Sequence, residues 1–184
     1  IPVSIPVVLD SPMAASATEI MVRYSGYTLV DTQKWNDIIE KIYITKDYTQ
    51  TQEIIAEKKS KIIIAGSGMI TGGRVLEYLK HYIGDSRNTV LIVGFQAEGT
   101  RGRALLNRSH ELKMHGKFYE VRAHIAEITG LSAHADQSEL IEWVKKYEIP
   151  PKQIMLVHGE SSALEALRVK IQTDLQVPDR KSTR

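Results

Sequence analysis

The chain has 184 residues, 42% hydrophobic and 25% charged, with a formal net charge of +2 at pH 7. That length supports one domain or two small lobes around a buried core, and no apolar run nears the roughly 20 residues of a membrane span. With no cysteine, disulfides and thiolate zinc sites are excluded, and a reducing, cytoplasmic setting without a membrane partner is expected.

In chain order, short apolar runs alternate with helical patterns. Ile5–Leu9 (IPVVL) reads as a buried strand, and Asp10 or Ser11 can cap a helix that has Pro12 in its first turn and runs over about 14–24. The stretch from Tyr27 contains a helix within YTLVDTQKWNDII, Lys41–Thr45 (KIYIT) reads as a short strand, and Gln50–Lys59 as an exposed helix. Lys61–Ala65 (KIIIA) reads as a buried strand leading into the loop GSGMITGG, followed by a helix with Val75, Leu76, Leu79 and Ile83 on one face. Thr89–Phe95 (TVLIVGF) repeats the pattern and enters QAEGTRGR. From Lys117, the alternation of Tyr119, Val121, Ala123 and Ile125 with polar residues predicts a half-exposed strand. A helix after GLSAHAD carries Leu140, Val144 and Tyr147 in register, and Gln153–Val157 (QIMLV) reads as another buried strand. The last helix follows Leu164, Leu167, Ile171 and Leu175, with a frayed tail PDRKSTR. Strands alternating with helices predict an α/β fold with a mostly parallel sheet flanked by helices, and the change of pattern near residue 110 predicts a second lobe.

Four segments carry chemistry. The Gly66–Arg74 loop joins a strand to a helix, a geometry that aims backbone N–H groups at an anion. It is neither a dinucleotide fingerprint nor a P-loop, and a plain tight turn explains it equally well. In Gly94–Arg103, Arg101 and Arg103 offer guanidinium forks for phosphate or act as interdomain ion-pair partners. The remaining two are histidines at strand ends, where α/β proteins assemble their sites. His134 lies among the small residues Ser132, Ala133 and Ala135 with Asp136 two residues on, while His158 ends an apolar run before Gly159. His81, His110, His115 and His124 read as structural or exposed. Two histidines do not complete a metal centre, since a catalytic zinc takes about three protein ligands, so the chain carries half of a site.

In order and spacing, LDSPMA, IIAGSGMITGGR, VGFQAEGTRGR, GLSAHAD and LVHGE closely resemble the β-CASP branch of the metallo-β-lactamase superfamily, zinc-dependent nucleases of RNA processing. The resemblance spans about residues 5–175 and implies that 1–108 is the later part of a β-CASP lobe. Residues 109–184 would then be the C-terminal return of a metallo-β-lactamase αβ/βα lobe. It further implies that His134 contacts the scissile phosphate and assists leaving-group protonation, that Asp136 orients it, and that His158 is a zinc ligand. Ser67, Gly68, Thr71, Gly72, Gly73 and Arg74, with Arg101 and Arg103, would meet RNA phosphates.

In the intact parent two zincs would polarise a phosphodiester and deliver hydroxide for in-line attack. The family's HxHxDH zinc motif is absent from this sequence, which opens at Ile1 without an initiator Met. The chain is therefore expected to be a C-terminal piece, inactive alone, whose partners are RNA and the remainder of the metallo-β-lactamase lobe. The resemblance favours RNA over DNA and allows a homodimer. Two alternatives remain: a non-catalytic RNA-binding or scaffold module of the same family, and a mononucleotide-binding α/β domain, which would need a phosphate loop not found here.

Overall fold

The computed structural model describes residues 5–131 and 134–175; Ser132, Ala133 and the expected frayed tail lie outside the described residues. The chain divides into two compact units, Ile1–Gly130 and Leu131–Arg184.

The first unit is α/β. Strand β1 (Val7–Asp10) is central to a parallel sheet of order β2-β1-β3, with β2 at Ile42–Ile44 and β3 at Ile62–Ala65. Val7 lies opposite both Ile42 and Ile62, which sets the register across the sheet. Helix α1 (Pro12–Arg23) starts where the sequence predicts, and Ser11 rather than Asp10 is the cap, accepting the N–H of Ala14 at 3.3 Å. A 3-10 turn at Ser25–Tyr27 precedes α2 (Thr32–Ile39), capped by Asp31, and α3 (Tyr48–Ala56) is capped by Asp47. Helix α3 is not wholly exposed, because Thr51 and Ile54 are buried. Lys61 closes its far end, donating from Nζ to the carbonyls of Ile54 and Glu57.

Helix α4 (Arg74–Tyr82) buries Leu76 and Leu79 on the predicted face, with Ile83 following its last turn. Those residues form one core with Ile70, Ile92, Leu105, Leu112, Met114 and Ala123. Strand β4 (Thr89–Ile92) pairs in parallel with β7 (His124–Glu127). Helix α5 (Arg101–Leu106) leads into the antiparallel hairpin of β5 (Glu111–Met114) and β6 (Lys117–Glu120). The single strand expected from Lys117 is thus two. It breaks at Val121–Ala123, where the N–H groups of Arg122 and Ala123 both turn to the carbonyl of Ile83. Nor are β3 and β4 fully buried: Ile64, Leu91, Val93 and Phe95 are each about half exposed. At the central strand β1 both faces are covered, with Val8 and Leu9 buried in succession, whereas β3 and β4 leave alternate residues to solvent.

The second unit packs α6 (Gln137–Lys145) against α7 (Ser161–Leu175). The buried residue of α6 is Ile141 rather than the expected Leu140 or Tyr147, because its apolar residues span a wide arc and contact with α7 selects among them. In α7, Ile171 is buried as expected. Residues 153–157 do not form the predicted strand. Met155 and Val157 are about four-fifths exposed, since an extended segment becomes a strand only beside a ladder partner, and none pairs with it among the described residues.

One polar network fastens the first unit. Asp10, at the end of β1, is 0% exposed. Its carboxylate accepts hydrogen bonds from Thr45 Oγ1 (2.7 Å), Thr51 Oγ1 (2.7 Å), Tyr78 OH (2.5 Å) and Arg74 Nη1 (2.6 Å). Four segments of the fold therefore converge on one side chain. Burial alone would raise the Asp10 pKa, but the bonds from Tyr78, Thr45 and Thr51 and the Arg74 charge outweigh it and hold it below the ordinary aspartate value. Removing a carboxylate that neutralises a partly buried guanidinium costs about 3 kcal/mol or more. Asp10→Ala is therefore expected to lower the urea midpoint of the first unit by that equivalent. Because the folded pKa lies below the unfolded one, the carboxylate's contribution is complete above about pH 4 and fades as pH falls toward the folded value. Urea titrations at stepped pH should show wild type and Asp10→Asn converging on acidification, and a gap independent of pH would contradict the network's role.

Candidate functional site

In the first unit the glycine loop, residues 66–73, is built from three constraints. Ser67 Oγ accepts the N–H groups of Thr71 (3.1 Å) and Gly72 (3.3 Å) and shares a 3.0 Å hydrogen bond with Thr71 Oγ1. Ile70 sits in the left-handed region at φ 57° yet is buried, an uncommon conformation for a β-branched side chain. Its place in the core holds it there. Gly73, at φ 76°, caps α4 without a side chain; a Cβ there would lie 2.6 Å from the Gly66 carbonyl oxygen. In the first turn of the helix, the Val75 N–H donates to the Gly66 carbonyl at 2.9 Å, closing the loop onto α4.

The arginines all make contacts within the protein. Arg74 Nη1 is engaged by Asp10, the Thr51 hydroxyl and, at 3.2 Å, the Asp47 carbonyl. Arg101 ties the loop to the hairpin: Nε donates to the Lys113 carbonyl at 2.6 Å, and Nη1 to those of Ile70 (3.3 Å) and Thr71 (3.2 Å). Arg103 pairs with Glu98 at 3.2 Å, its guanidinium carbon 5.7 Å from the Phe95 ring centroid. Arg101 thus braces the loop that contains Ser67, Gly68, Thr71, Gly72 and Gly73, and Arg74 fixes its exit.

Sequence reasoning missed Gln96. It is 2% exposed, and its amide nitrogen donates to the carbonyls of Gly68 and Gly94, each at 2.9 Å. Its Oε1 has no hydrogen-bond partner and lies over Gly102, where a Cβ would approach within 1.5 Å. Gly102 also donates its N–H to the Met69 carbonyl at 3.2 Å. The two glycine-rich segments are thus locked together, and Gly102 is glycine because the Gln96 amide occupies its side-chain space. The polar residue and the glycine were visible in the sequence, but their contact was not.

In the second unit Asp136 is the N-cap of α6, accepting the Glu139 N–H at 2.9 Å and the Ser138 hydroxyl at 2.6 Å. Glu139 returns the bond, accepting the Asp136 N–H at 2.8 Å, a complete capping box. The Ser138 hydroxyl and the Glu139 N–H keep the Asp136 pKa below its ordinary value. The exposed His134 stands two residues before this cap. His158 is exposed at φ 63°, in the turn before α7. Backbone held in this sparsely populated region is a feature of ligand sites. Leu164 of α7 covers Gly159, where a Cβ would lie 2.9 Å from Leu164 Cδ2.

No group of three or more His, Asp or Glu able to hold a metal ion occurs among the described residues. Nor is any helix among the described residues long and apolar enough to cross a membrane.

Comparison with known proteins assigns the lineage. A Beta-Casp domain model matches residues 1–105, and a Zn-dependent metallo-hydrolase RNA specificity domain matches 119–178. The chain is 31% identical over 191 residues to the transcription termination factor FttA of Methanosarcina mazei, covering 97% of this chain and 30% of that protein. It is 31% identical over 168 residues to a ribonuclease of Thermus thermophilus, covering 88% and 38%. With FttA of Pyrococcus abyssi it shares 34% over 167 residues, covering 84% and 26%. The chain thus spans less than two-fifths of the length of each of these relatives. The α/β architecture, the ordered motifs and both domain matches agree: this chain belongs to the β-CASP family of metallo-hydrolases.

Proposed function

We propose that the chain is part of a zinc-dependent ribonuclease that hydrolyses RNA phosphodiester bonds. The observation that carries this reading is the pair of exposed helix-entry histidines, His134 before a fully capped helix and His158 in a left-handed turn. Both lie in the segment matched by the RNA specificity domain, and one relative is named a ribonuclease. His134 donates a hydrogen bond to the scissile phosphate and a proton toward the leaving oxygen. Asp136 acts on it by fixing the start of α6. His158 is one zinc donor, the others coming from elsewhere in the whole protein, which holds two ions. Ser67, Gly68, Thr71, Gly72 and Gly73 present loop backbone to RNA phosphates. Arg101 holds that backbone, and Arg74, Arg101 and Arg103 add positive potential. Residues 1–108 form the later part of the β-CASP lobe and 109–184 the return of the metallo-β-lactamase lobe, a division supported by the two matched segments.

The chain alone is expected to leave labelled RNA uncut and to retain far fewer than two zinc ions per molecule after dialysis, measured by elemental analysis. Within the whole protein, His158→Ala should lower zinc content, while His134→Ala should keep zinc and lower kcat by about 10²–10⁴-fold. Hydrolysis by the isolated chain that disappears with His158→Ala would overturn this division of labour. RNA binding by a whole protein that cannot cleave would instead identify a scaffold.

A further inference from the structure

The β5–β6 hairpin carries a feature that the site above does not use. Lys113 and Phe118 are direct cross-strand partners, and Lys113 Nζ lies 5.5 Å from the centroid of the Phe118 ring. Phe118 is 61% exposed, although phenylalanine has no polar group that benefits from water. The ring's support is rigid. Leu112 and Met114, which flank its partner Lys113 in β5, are anchored in the main core. His115 (φ 47°) and Gly116 (φ 80°) make the two-residue turn that fixes the register.

Charge along the hairpin is graded. Glu111 faces Glu120 at its base, whereas toward the tip Lys113 faces the ring across the ladder and Lys117 precedes it in β6; His115 in the turn lies 3.7 Å from Glu77 Oε1. The tip is also the end tied to the glycine loop, since Arg101 bonds the Lys113 carbonyl and the carbonyls of Ile70 and Thr71 together. An exposed aromatic ring with flanking cations on a fixed hairpin has the two elements of single-stranded nucleic-acid recognition: a face for stacking a base and charge for its phosphates. Most of the hairpin, up to Phe118, falls between the segments matched by the two domain models.

We propose that the β5–β6 hairpin is an RNA contact beyond the cleavage site, in which Phe118 stacks on an unpaired base while Lys113 and Lys117 meet the adjoining phosphates. This rests on the reading of the chain as an RNA-acting protein, and the test separates the two. The full 184-residue chain is titrated against a fluorescein-labelled single-stranded RNA of about twelve nucleotides, followed by anisotropy at several salt concentrations. Phe118→Ala is expected to weaken binding by about tenfold without changing the salt slope. Phe118→Trp should restore affinity, which a merely structural ring would not do. Lys113→Ala and Lys117→Ala should each reduce the slope of log K against log salt by about 0.7. Unchanged thermal melts by circular dichroism would show that the variants remain folded.

Wild type that fails to bind RNA would overturn both this inference and the nuclease reading. Wild-type binding that is indifferent to Phe118→Ala would overturn the hairpin alone. A Phe118→Ala variant with unchanged RNA affinity but lost self-association in sedimentation would mark the face as a protein interface, and would also overturn the proposal.

Discussion

The first unit depends on one buried carboxylate. Asp10 receives two threonine hydroxyls, a tyrosine hydroxyl and a guanidinium, so the ends of β1 and β2 and the starts of α3 and α4 are fixed relative to one another. An ionised group in such a place is tolerated only because its oxygens are saturated with donors. The opposite charge, on Arg74, sits at the first position of α4, immediately after the glycine loop. The loop is therefore pinned at its exit by an ion pair, and Arg101 and Gln96 pin its middle. A glycine-rich loop would otherwise sample many conformations, and these contacts within the protein order it.

The second unit is organised differently. Its two histidines are placed by backbone devices rather than by a buried network: one by proximity to a capping box, the other by a left-handed turn at the mouth of α7. Such placement sets where each side chain starts, and both residues are exposed.

Local features were legible in the sequence and pairings were not. The buried face of α4 could be read because Leu76, Leu79 and Ile83 repeat at helical spacing. Ser11 is one of the two caps that the sequence offers for α1, whereas Asp136 reads there as the partner of His134 and its cap role, signalled by Glu139 three residues on, went unread. The role of Asp10 was hidden because its partners lie 35 to 68 residues away. The run 153–157 has the composition of a strand, but ladder bonds belong to a pair of segments, not to one. The half-bare faces of β3 and β4 were missed for the same reason: apolar composition states what a residue can cover, and only the packed neighbours decide whether it is covered.

The span of the Asp10–Arg74 pair also governs the order in which the polypeptide can assemble. Asp10 is separated from its counter-ion by 64 residues, so a nascent chain that has emerged only as far as β2 holds a carboxylate that must stay hydrated. The end of β1 can therefore be buried in its final form only once α4 is available to supply the opposite charge.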